Sequence, residues 1–180
     1  MSNFIDRDNP LVSDVINVLE SNYDIILEEY KESTTKPDRV LSEDNFYSLL
    51  WYFCLYKVEI LALYIFHQLW LGKVIDPWDK LDINLFPKTY AVVNGLNIHD
   101  IFISQLSANT RDMPEHRESE GIVRIHLPLI VPEGDIGFSV YGEIIKWVEG
   151  RCCAFRISDP HYVWNHTNMD RVNLLVDVLG

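Results

Sequence analysis

His116 and Glu118 stand two positions apart, and alternate residues of an extended chain share a face, so both can reach one metal ion. His161 lies in the next dense polar cluster. Two histidines and a carboxylate on one face of a metal form the triad used by non-haem iron(II) oxygenases, with open positions for co-substrate and oxygen. His-x-Glu alone is a weak signal, and residues 111–120 are charged enough to be a solvated loop.

Two further features bear on that choice. Arg124 and His126 interrupt an apolar run on the face opposite Val123, Ile125 and Leu127. That face either meets solvent or lines a polar pocket that receives an anion, and the neighbouring triad favours the pocket. Arg171 opens the apolar run of residues 172–178. It either points inward to grip a carboxylate through two parallel hydrogen bonds or pairs with Asp170 or Asp177. A zinc hydrolase could also use two histidines and a carboxylate, but it would have no need of the basic set.

Short runs rich in β-branched and aromatic residues would carry these side chains. Residues 90–93, 100–106, 122–131, 136–141, 144–148, 152–157 and 172–179 read as strands separated by Gly, Pro, Asn and Asp. That spacing suggests a sandwich or barrel. Upstream, Val12, Val15, Ile16, Leu19, Tyr23, Ile26, Leu27 and Tyr30 recur at helical spacing, predicting a helix that fades near Ser33. Asn9 or Ser13 could cap it, with Pro10 in its first turn. A second helix is expected over 46–71, ending at Gly72. It is apolar all round, which implies deep burial: it either packs on the barrel or forms a homodimer interface. The fold class expected is α+β, one domain of 180 residues, with a helical part over 1–75 and a barrel over 83–180.

Composition narrows the partners. A formal charge of −12 disfavours nucleic acid. Residues 49–71 are long enough to span a bilayer, but Lys57 and Glu59 inside the run argue for a buried helix instead. Three cysteines, two of them adjacent, do not make a disulfide framework, and Cys152 and Cys153 read as packing residues. Residues 1–8 lack the apolar stretch of a signal peptide. The expected location is cytoplasmic, with reduced thiols. His99 and His166 read as surface or satisfied core histidines, and Trp164 and Asn165 either support His161 or belong to the core.

Several short motifs in one order resemble the aspartyl/asparaginyl β-hydroxylase family. They are Phe86-Pro87-Lys88-Thr89, Ile103-Ser104-Gln105-Leu106, Pro114-Glu115-His116-Arg117-Glu118 and the run from Val123 to Pro132. Trp147-Val148-Glu149-Gly150, His161 to Asn165 and Asp170 to Val178 complete the set. The resemblance covers residues 85–179 and implies a double-stranded β-helix that binds Fe(II) and 2-oxoglutarate. It assigns His116 and His161 as iron ligands, with Glu118 where relatives carry Asp or Gly. Arg171, assisted by Ser104, would bind the far carboxylate of 2-oxoglutarate, and Arg124 and His126 would contact the co-substrate. The implied activity is hydroxylation of an unactivated carbon by dioxygen. The substrate would be an amino acid, a peptide residue of the Asp/Asn type or another small molecule, with release of succinate and CO2. Halogenation or desaturation on the same site and a barrel that only binds are the alternatives.

Overall fold

The computed structural model describes residues 2–34, 81–110 and 114–180. Among these residues the elements run α1 (Ser13–Ser21), α2 (Tyr23–Thr34), α3 (Pro87–Val93), β1 (Asp100–Leu106), β2 (Ile122–Ile130), β3 (Ile136–Val140), β4 (Glu143–Ile145), β5 (Cys153–Arg156), β6 (His161–Asn165) and β7 (Arg171–Leu179). The helix expected over 46–71, its homodimer role and the membrane question it raises lie outside the described residues. Within them, no helix is long and apolar enough to cross a membrane.

The strands form two antiparallel sheets, ordered β1-β7-β2-β5 and β4-β3-β6. β2 and β7 pair along their whole length, from Ile122 opposite Leu179 to Ile130 opposite Val172. The register shifts between Pro128 and Ile130, where proline has no N–H for the ladder. Alternation then sorts the side chains. Val123, Ile125, Leu127, Leu129, Leu174, Val176 and Val178 face the helices and join Val12, Ile16, Leu19 and Ile26 in one core. Each such side chain contributes roughly 1.5–3 kcal/mol when fully buried. The opposite face looks across a second cluster, Ile136, Phe138, Val140, Trp147, Phe155 and Ile157, toward the smaller sheet. Two facing antiparallel sheets with this shared interior, buttressed by helices, are the α+β double-stranded β-helix.

Local readings needed three corrections. The predicted first helix is two helices, broken at Asn22, whose Nδ2 donates to the Val18 carbonyl at 2.8 Å. The break lets Tyr23 turn its hydroxyl to the Leu129 carbonyl at 3.1 Å. Neither proposed residue caps α1 by its side chain; its N-cap is Val12, while Asn9 Oδ1 accepts the Leu11 N–H at 3.0 Å.

Residues 90–93, expected as a strand, belong to helix α3. Pro87 suits its first turn. The buried Glu29 carboxylate on α2 accepts the N–H groups of Lys88 at 2.7 Å and Thr89 at 2.6 Å. Helix N-termini leave such donors unpaired, so a side chain distant in sequence decides this element. The third correction is β6, which sequence patterning did not identify as a strand.

Candidate metal centre and anion slot

β6 begins at His161, which lies opposite Val140 of β3. On its other edge His161 pairs with His116, and each backbone N–H donates to the other's carbonyl at 3.0 Å. Two positions on, the Glu118 N–H donates to the Ile157 carbonyl at 2.8 Å. The polar loop of the sequence reading is therefore hydrogen-bonded to β6. His116, Glu118 and His161 meet there, each offering one ligand atom, all within 4.8 Å of one another. The imidazole centroids are 4.3 Å apart, and His161 Nε2 is 3.7 Å from Glu118 Oε1.

Both imidazoles are anchored alike. His116 Nδ1 meets the Pro114 carbonyl at 3.0 Å, and His161 Nδ1 meets the Asp159 carbonyl at 2.7 Å. A carbonyl only accepts, so each Nδ1 carries the proton and each Nε2 presents a lone pair. Peptide oxygens thus set the ligand tautomers. Trp164 and Asn165 do not perform that task. Trp164 donates to Asp135 at 2.8 Å, and Asn165 Nδ2 donates to the carbonyls of Leu106, Ser107 and Met169.

Arg124 and His126 are both buried, so the solvent reading of their face fails. Arg124 is held by the chain's own carboxylates. Its Nε and Nη2 donate to Asp177 at 2.8 and 2.9 Å, and its Nη1 donates to Glu118 Oε1 at 2.8 Å. Burial opposes ionisation of Glu118, but the adjacent His161 and the Arg124 charge outweigh it and hold the carboxyl below its ordinary range. A cavity of about 150 Å³ opens beside this group, lined by Asp100, Phe102, Glu118, Ser119, Arg124 and Asp177 among others.

His126 lies deeper, 5.1 Å from the Phe138 ring and 5.3 Å from Phe155 by centroid. Burial, then the charges of Arg171 and Arg124, push its pKa well below the ordinary value, so the imidazole is neutral. Asn173 Nδ2 faces its Nδ1 at 3.4 Å, which leaves the ring proton on Nε2.

Arg171 shares this interior face of β7 with Asn173 and Asp177, at alternate positions. It is only 3 % exposed and pairs with neither Asp170 nor Asp177. Asp170 accepts from Gln105 and Ala108, while Asp177 holds Arg124. The Arg171 partners are the Ser104 carbonyl at 3.1 Å, the Ser104 hydroxyl at 3.2 Å and the Trp147 ring. No carboxylate among the described residues meets it, and burial pushes its pKa down to about 9.

Among the described residues four buried polar atoms have no hydrogen-bond partner: Arg171 Nε, Trp147 Nε1, Asn173 Oδ1 and Ser139 Oγ. Buried polar groups are rarely left so. The Arg171 cation and the two N–H donors without acceptors among the described residues fit an anionic ligand, and the donor set of His116, Glu118 and His161 fits a divalent first-row metal. Trp147 and Asn173 were not singled out by the sequence reading. Trp147 occurs in a quoted motif, while Asn173 sits in an apolar run where only alternation with Arg171 marks it.

Among the described residues, the remaining histidines and cysteines are structural or superficial. His99 and His166 are exposed and lie beside Asp100 and Asp135. Cys152 packs into the helix-side core and Cys153 against the interior cluster, and burial pushes both thiols up, Cys153 to about 12.

The double-stranded β-helix brings together two imidazoles and a carboxylate, from exposed His116 through half-buried Glu118 to buried His161, a donor set that could hold a metal ion. The chain belongs to the aspartyl/asparaginyl β-hydroxylase family, whose model matches residues 20–180. It is also similar to an ornithine lipid ester-linked acyl 2-hydroxylase from Rhizobium tropici, at 32 % identity over 99 residues. That match takes in 53 % of this chain and 35 % of the relative, so it spans well under two thirds of the relative's length.

Solved structures resemble it distantly. A predicted oxalate decarboxylase from Thermotoga maritima shares 19 % identity at a TM-score of 0.39, over 56 % of this chain and 76 % of that one. A Cupin_2 domain of an XRE family transcriptional regulator from Enterobacter cloacae shares 16 % at 0.38, over 60 % and 94 %. At that distance they carry no information about chemistry.

Proposed function

We propose that this chain is an Fe(II)- and 2-oxoglutarate-dependent dioxygenase that hydroxylates an unactivated carbon. His116, Glu118 and His161 hold the metal. Arg171 and Ser104 bind the far carboxylate of 2-oxoglutarate, with the Trp147 N–H as a further donor. The observation that carries this reading is Arg171: a buried guanidinium that meets no carboxylate among the described residues, in the same barrel as the cluster of His116, Glu118 and His161. An uncompensated buried charge is costly, and a dicarboxylate would offset it.

When bound, the metal and 2-oxoglutarate supply the oxidising chemistry, consuming dioxygen and releasing succinate and CO2. The chain supplies position and dryness. The anchored Nε2 atoms face the metal in their ligand tautomer. Neutral His126 offers an N–H along the slot without adding charge. Phe138, Phe155 and Trp147 wall off water, so the charge-assisted bonds of Arg171 act at low dielectric. Arg124 acts through Glu118 instead of reaching the co-substrate directly.

The substrate reading is an amino acid, or a residue of the Asp/Asn type in a peptide, in line with the family's name. The acyl hydroxylase relative supports a second reading, a lipid acyl carbon. Anaerobic titration with Fe(II) and 2-oxoglutarate, followed by oxygen admission and succinate assay, tests the chemistry. Mass spectrometry of amino-acid, peptide and ester-linked lipid panels separates the two substrates by which one gains an oxygen. Full iron-dependent turnover in His116→Ala would remove the assignment.

A further inference from the structure

We infer that Arg124, braced by Asp177, is the positioning residue that holds the Glu118 carboxylate in the metal cluster. This rests on the reading of His116, Glu118 and His161 as metal ligands and extends it to a residue that touches no metal.

The three ligands are held differently. Each histidine is anchored by a carbonyl two residues upstream. Glu118 has a longer, freely rotating arm and no such peptide anchor. Its shortest side-chain contact is the Arg124 Nη1 donor at 2.8 Å. Arg124 cannot swing to suit it. Its Nε and Nη2 form a fork on Asp177, its strand neighbour across the β2–β7 ladder, and its guanidinium carbon lies 5.0 Å from the Phe102 ring. A planar guanidinium with two N–H groups fixed has its third edge fixed as well. The carboxylate is thereby confined to one arc.

Charge explains why this cation does not displace a metal. A lone arginine beside a ligand carboxylate competes for it. Here Asp177 neutralises Arg124, and the set of two carboxylates and one guanidinium remains net negative toward a cation. A carboxylate has two oxygens and about four acceptor sites, so Oε1 can accept from Arg124 while Glu118 still offers an oxygen to a metal. Outer residues that orient a metal ligand typically contribute roughly 10- to 100-fold in metal affinity.

The test is anaerobic Co(II) titration followed by d–d absorption, with circular dichroism confirming that each variant is folded. Arg124→Gln is expected to weaken Co(II) binding by roughly 10- to 100-fold. Its spectrum should move toward that of Glu118→Ala, and the double variant should bind no worse than Glu118→Ala alone, because both changes remove one ligand. Arg124→Lys preserves the charge against Asp177 and provides the readout if Arg124→Gln does not fold. A single ammonium cannot bridge both carboxylates, so Arg124→Lys should also weaken binding. Unchanged or tighter Co(II) binding in a folded Arg124→Lys, with wild type binding normally, overturns the inference alone. A wild type that binds no Co(II) overturns the metal reading and the inference together.

Discussion

The guanidinium carbon of Arg171 lies 4.7 Å from the centroid of the Trp147 ring, and the Nε of that arginine has no acceptor among the described residues. Nothing in this contact cancels a full buried charge. Arg171→Met should therefore leave the empty protein as stable as wild type or more so, since removing a lone buried charge relieves its desolvation. The same variant should lose the rise in melting temperature that 2-oxoglutarate gives wild type. Calorimetry with and without the dicarboxylate checks both arms. A retained ligand-induced shift would show that the anion binds elsewhere.

The same arginine sets a pH window. Its pKa in the fold is about 9, below the ordinary 12.5, so the folded state favours the neutral form. Below about 9 it is cationic and can bind an anion. The stability of the empty barrel should rise as pH climbs from about 9 toward the unfolded value, while 2-oxoglutarate affinity should fall over that range. Titration calorimetry between neutral pH and this range reads the affinity.

Glu118 gives the opposite sign. Its pKa is held below the ordinary 4.5, first against burial, then by His161 and Arg124. The stability it contributes is present above about 4.5 and lost as pH falls through the lower folded value. Glu118→Gln should flatten the loss of stability in that acidic range, as read by urea midpoints. A wild-type slope in the variant would remove Glu118 from the acid response.

Glu29 offers a test of the scaffold. Glu29→Ala leaves the Lys88 and Thr89 N–H groups of α3 without their acceptor. The expected cost is about 2 kcal/mol, the scale of a lost cap with buried donors exposed. Urea unfolding measures it, and Co(II) binding should be unchanged because α3 packs outside the barrel.

Gly137 tests the smaller sheet. A Cβ there would lie 2.2 Å from Cζ2 of Trp164. Gly137→Ala should cost about 1–3 kcal/mol by overpacking. Trp164→Leu in the same chain should recover most of it, since the two positions couple directly. Additive effects would mean that the strain is relieved elsewhere.

The strongly patterned strands were the legible part. β1 matches its expected bounds, and β2 and β7 end within a residue of theirs, because long β-branched alternation leaves little choice. β6 escaped notice because His161, Asn165 and two aromatics mask its alternation, although it carries a candidate ligand. The α3 region read as a strand because its helix depends on Glu29, which no local window contains. The triad was visible as residue types, and the structure brings its three members together. The fate of Arg124 was not visible, since only the β2–β7 register brings Asp177 alongside it.

The two modes of anchoring make the centre divisible. Main-chain carbonyls orient the imidazoles, so that part of the cluster is insensitive to most side-chain substitutions nearby. Glu118, the proposed third ligand, hangs on a separate brace of Arg124 and Asp177 and can be exchanged without turning either ring. A lineage could trade Glu118 for a shorter residue and keep a well-formed pair of nitrogens with a coordination position left for an outside ligand.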